Sequence, residues 1–86
     1  MRFYVTKNDI KRGHPFTCAL CPVALSIQRR LSLSVHQVSV GILTASIKRK
    51  VFQLPSIARN FIAAFDRGQP VSPFTFTLPI KNAKSS

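Results

Sequence analysis

Thirteen lysines and arginines stand against two carboxylates, Asp9 and Asp66, in a chain of 86 residues, for a formal charge of +11. That imbalance constrains the chain more than any motif in it. Self-repulsion of this size opposes a compact state. The counterweight is apolar: 45% of the residues are hydrophobic and seven are phenylalanine. That supply of Leu, Ile, Val and Phe argues against intrinsic disorder. The length allows one small domain and not two. With only Asp9 and Asp66 available, enzymes built on carboxylate pairs are disfavoured as a class. The charge also exceeds the roughly 2–8 units that solubility asks of a small domain, and so points to a polyanionic or acidic partner.

The pattern along the chain predicts an α+β fold. Arg2–Thr6 reads as a strand, with Phe3 and Val5 on one face. Thr6 and Asp9 then have the spacing of a capping box, which predicts a short helix stopping at Gly13. Pro22 suits the first position of a second helix running through Leu31, with Leu20, Ala24, Ile27 and Leu31 as its apolar stripe. Val35–Leu43 reads as a strand with Val38, Val40 and Ile42 on one face, and Ser46–Leu54 as another. The second of these conflicts with itself, since either face carries a basic residue, so a bulge or an overhanging hairpin is expected there. After Leu54-Pro55, the stripe Ala58, Phe61, Ile62 and Phe65 predicts a helix closed by Gly68 in the left-handed position.

Phe74, Phe76, Leu78 and Ile80 alternate with Thr75 and Thr77 in a last, edge strand. Phe61 and Phe65 should interlock with Phe74 and Phe76. The order β-α-β-β-α-β, an antiparallel sheet with two helices, is that of the ferredoxin-like fold. Residues 1–80 are expected to form the domain and 81–86 a disordered tail. No signal peptide and no membrane-spanning run is read. With only Cys18 and Cys21 no disulfide framework is available, and a reduced, cytosolic setting is expected.

No catalytic or cofactor-binding motif emerges from the three glycines or from any Ser/His/Asp grouping. Cys18-Ala19-Leu20-Cys21 at a helix start could carry a lowered thiol pKa and redox exchange, or bind metal with His14 and His36. The plainer expectation is two small buried cysteines. The stronger signal is clustered charge: Lys48, Arg49 and Lys50 on a strand, Arg29 and Arg30 at a helix end, and Lys7, Lys11 and Arg12 near the start. On a strand, Lys48 and Lys50 would project together, about 7 Å apart, and bridge neighbouring phosphates. An RNA-recognition module is argued against, because the stretch around Lys48 lacks that family's glycine and aromatic pair. Tyr4 and Phe52 are the candidate stacking residues.

The run Cys21-Pro22-Val23-Ala24-Leu25, then Phe61-Ile62 with Phe65-Asp66-Arg67-Gly68, then Pro73-Phe74-Thr75-Phe76 resembles a group of small bacteriophage and bacterial proteins of unknown function. The resemblance implies a phage-type accessory protein in a bacterial host cytoplasm, and brings no site residues with it. The expected function is therefore a non-enzymatic binder of nucleic acid or nucleotide through the lysine and arginine clusters. The alternative is a protein-directed inhibitor of a host enzyme or defence system that docks on an acidic host protein. A thiol redox or metal protein ranks below both.

Overall fold

A computed structural model describes residues 1–80 of the chain. In order, these form β1 (Arg2–Val5), α1 (Lys7–Arg12), α2 (Pro22–Leu31), β2 (Val38–Val40), β3 (Thr44–Ile47), β4 (Lys50–Gln53), α3 (Ser56–Asp66) and β5 (Phe74–Thr77). The architecture is α+β, with every strand pairing antiparallel. The expected tail, 81–86, lies outside the described residues. No described helix is long and apolar enough to cross a membrane.

The ferredoxin-like arrangement is not what forms. β1 pairs with β5 alone, and β2–β3–β4 make a separate meander. The reason lies in residues 35–54, which supply three short strands rather than two longer ones. A turn at Gly41, whose N–H donates to the Thr44 carbonyl at 2.8 Å, cuts the first run short. Ile42 therefore lies in the turn and is exposed, not beside Val38 and Val40 in the core. A second turn at Lys48 and Arg49 divides the next run and resolves its conflicting faces. Val38, Val40, Ala45 and Ile47 all point inward, and Lys50 leaves the core face at the strand end.

The helices begin where their sequences allow. Thr6 and Asp9 form the full capping box: the Thr6 hydroxyl accepts from the Asp9 N–H, and the Asp9 carboxylate accepts from the Thr6 N–H at 2.9 Å. Pro22 opens α2, and Val23, Ala24, Ser26 and Ile27 are its buried face. The Ser26 hydroxyl is satisfied by donating to the Val23 carbonyl at 2.7 Å. Leu20, expected on that stripe, precedes the helix and is exposed, because residues 17–21 turn instead. α3 ends in a Schellman motif: the Gln69 N–H donates to the Ala64 carbonyl and the Gly68 N–H to that of Phe65, with Gly68 at φ +74°.

α2 packs against both β1 and β2 and so joins the two sheets. The other tie is aromatic. Phe65, Phe61, Phe74, Phe76 and Phe3 form a continuous row, with successive ring centroids 6.0, 4.7, 5.8 and 5.2 Å apart. The expected interlock of α3 with the last strand is present, and it reaches on into β1. Phe61 is buried, whereas Phe65 is only partly so. Phe61→Ala should cost about 3–5 kcal/mol, the range for truncating a buried phenylalanine. Phe65→Ala, which removes less buried area, should cost about 1–2 kcal/mol. Thermal or urea melts of the two variants check both the size and the order of these losses.

Candidate anion interface

The Lys48-Arg49-Lys50 run does not lie along a strand face. Ile47 pairs with Lys50, so Lys48 and Arg49 are the two central residues of the β3–β4 hairpin. Both have positive φ, 50° and 73°. That is the signature of a type I′ turn, whose twist suits a two-residue hairpin and which ordinarily takes Asn-Gly. In a side chain bearing a Cβ, the left-handed region costs roughly 1–2 kcal/mol per residue. The turn therefore spends stability to hold two long cationic side chains, both exposed, at a narrow tip. The expected 7 Å projection of Lys48 and Lys50 from one strand face is replaced by two cations on the turn itself and a third, Lys50, at the first position of β4. The Lys48 N–H is anchored by the Gln37 carbonyl at 2.9 Å.

Two concavities meet at this tip. One, of about 450 Å³, is lined by His36, Gln37, Ser39, Ser46, Lys48 and Arg49. Ser39 and Ser46 face each other across the β2–β3 ladder, on the side away from the core. Hydroxyls, an amide and an imidazole beside two cations form a surface of hydrogen-bond donors. The other concavity, of about 690 Å³, is apolar. Leu31, Leu33, Ile47, Phe52 and Ile80 line it, and Lys48 and Lys50 are its cations. Lys48 belongs to both. The sequence offers Gln37, Ser39 and Ser46 no role, and His36 only that of a metal ligand, because only the hairpin register brings them to the basic turn.

The remaining expected site residues separate. Arg30, Lys7, Lys11 and Arg12 are all exposed, but none lines either concavity at the hairpin: Lys7, Lys11 and Arg12 are on α1 and Arg30 in the last turn of α2. Arg29 is committed elsewhere. Its guanidinium pairs with the buried Asp9 carboxylate and donates to the Tyr4 carbonyl at 2.8 Å. This is the one ion pair among the described residues. Arg12 lies in the same shallow cleft as Arg29 and Gln28. Arg29 is thus a structural cation, and the hairpin tip is the densest positive feature left free to meet a ligand.

The cysteines divide. Cys21 is buried as the N-cap of α2, its Sγ accepting from the Ala24 N–H at 3.4 Å, while Cys18 is exposed. Burial pushes the Cys21 thiol pKa up, outweighing the backbone N–H groups that pull it down. The lowered pKa anticipated at a helix start is therefore not what this site produces. No group of three or more His, Cys, Asp or Glu suited to a metal gathers among the described residues, so His14 and His36 do not join the cysteines.

Comparison of the chain with protein-family models, with curated proteins and with solved structures found no match. The geometry of the site carries the functional argument alone.

Two outcomes follow from this geometry. Alkylation of the folded protein at mildly alkaline pH should modify Cys18 rapidly and Cys21 only on unfolding. Because the folded Cys21 pKa is raised, its contribution to stability is present below the ordinary thiol range and is lost as pH climbs above it. Two thiols reacting at one fast rate in the native state would contradict the assigned burial. Separately, replacing the turn with Asn-Gly (Lys48→Asn with Arg49→Gly) should raise stability by about 1–2 kcal/mol in urea melts, by removing the Cβ at position 49 and placing at 48 a residue that tolerates the left-handed region.

Proposed function

We propose that this chain is a small non-enzymatic binding protein, of the phage accessory type and acting in a bacterial cytoplasm, that holds nucleic acid by its phosphates at the β3–β4 hairpin tip. The observation that carries the reading is the turn itself. Lys48 and Arg49 occupy a conformation that favours asparagine and glycine, and strain kept at an exposed position is a mark of function. The chain's surplus of eleven positive charges supports a polyanion as partner. The hydroxyls of Ser39 and Ser46 and the ring of His36 supply donors of the kind that position phosphate oxygens.

Binding of this kind releases counterions and is steep in salt. With about three phosphates neutralised at the tip, affinity for a short oligonucleotide should fall roughly 20- to 40-fold between about 50 and 200 mM salt. Lys48→Gln with Arg49→Gln should remove about two units of charge dependence from the slope of log affinity against log salt. Fluorescence anisotropy across a salt series measures both. An unchanged slope in the double variant would move the contacts away from the hairpin. No binding at low salt would end the reading.

A second reading, the protein-directed inhibitor, rests on a different observation. Phe16 is 80% exposed at a φ of 59°, and with Ile42, itself 69% exposed, it lines one cleft near Cys18. An exposed aromatic beside an exposed aliphatic is the start of an apolar contact patch. Retention of a bacterial partner after nuclease treatment, lost on Phe16→Ser and kept in the Lys48/Arg49 variant, would favour this reading over the first.

A further inference from the structure

Resting on the nucleic-acid reading of the hairpin, we propose that the partner is single-stranded and that one of its bases enters the apolar groove against Phe52. The groove has three walls. Phe52 and Ile47 come from the core face of β4 and β3, Leu31 and Leu33 from the end of α2 and just beyond it, and Ile80 from the segment after β5. Phe52 is partly buried and packs against the core at its base. The volume, about 690 Å³, lies within the roughly 300–1,000 Å³ of ordinary small-ligand sites. An apolar recess of that size beside the densest cationic turn has one anionic polymer that matches both features. In a duplex the base faces are stacked inside the helix and only edges and phosphates are presented. An unpaired strand offers both a π-face and its charged backbone.

The placement of the cations fits that division. Lys48 and Lys50 lie with the groove, where the phosphates on either side of an inserted base would run. Arg49, with Lys48, lies toward the polar recess of His36, Ser39 and Ser46, which would take the continuing backbone. Tyr4, the other candidate stacking residue, opens on a shallow depression in which Lys7 is the sole cation among the lining residues. Phe52 therefore combines an aromatic ring, a recess and paired charge, and Tyr4 does not. Sequence-tolerant stacking on one aromatic, steered by lysines, is the chemistry of non-specific single-strand binding.

The test compares a labelled oligothymidine of about 12 nucleotides, long enough for one such site, with a duplex of equal length at about 50 mM salt. The single strand should bind about tenfold more tightly, the loss expected when one base–aromatic stack is missing. Phe52→Leu keeps an apolar side chain against the core but removes the π-face. It should bring single-strand affinity down to the duplex value while the melting temperature and duplex binding stay close to those of the parent. Phe52→Tyr should restore the preference. Equal binding of the two forms, or a preference that survives Phe52→Leu, would overturn the inference and leave the phosphate-binding hairpin standing. Failure to bind either form would instead overturn the reading on which it rests.

Discussion

The Asp9 carboxylate holds three consecutive parts of the chain in one arrangement. One oxygen accepts the Thr6 N–H and completes the cap of α1, and the other receives the Arg29 guanidinium from α2. The same guanidinium reaches back to the Tyr4 carbonyl on β1. β1, α1 and α2 are thereby fixed by a single buried acid. A carboxylate inside a protein is tolerated only where its acceptor capacity is filled, and here each oxygen has a donor. Arg29 keeps half of its side chain in solvent, so the pair avoids the full cost of burying two ions. Asp66 is used in a similar way, its Oδ1 accepting the N–H of Phe16 from fifty residues away.

The surface follows from that use of the acids. A chain that commits both side-chain carboxylates to its own segments, Asp9 buried and Asp66 partly so, leaves the other lysines and arginines among the described residues outside any ion pair. Cohesion must then come from packing. α2 supplies it on one side by meeting both sheets, and the phenylalanine row supplies it on the other by binding α3 to the β1–β5 ribbon. Between them the β2–β3–β4 meander carries its basic turn outward, supported at its base by Ile47 and Phe52. The turn can afford strained side chains because the ladders beneath it are continued by hydrogen bonds from Lys48 to Gln37 and from Leu54 to Leu43.

Features set by local chemistry were legible in the sequence. The capping box at Thr6 and Asp9, proline at the start of α2, the stripe of α3, Gly68 at its end and the alternating Phe74–Thr77 strand, which stops short of the expected Ile80, all report on neighbours a few residues away. The sheet topology was not legible in that way. It depends on two turns with weak signatures, since Gly41-Ile42-Leu43 and Lys48-Arg49 carry apolar or charged residues where Asn-Gly would announce a hairpin. Gly13 shows a similar limit. It read as a helix stop, yet its deeper role is spatial: a Cβ there would come within 2.6 Å of the Pro22 ring. The basic cluster was found by composition, but its shape was misplaced. His36, Ser39 and Ser46 join it only through strand register, which no spacing along the chain reveals.

The central claim is that the β3–β4 hairpin, rather than the diffuse positive surface, receives the anionic partner. Amide chemical-shift mapping during titration with a short single-stranded oligonucleotide tests it most directly. Perturbations should concentrate at Gln37, Lys48, Arg49, Lys50 and Phe52, with Leu33 and Ile80 following if the groove is filled. Shifts centred on Lys7, Lys11 and Arg12, or spread evenly over every basic residue, would contradict the account.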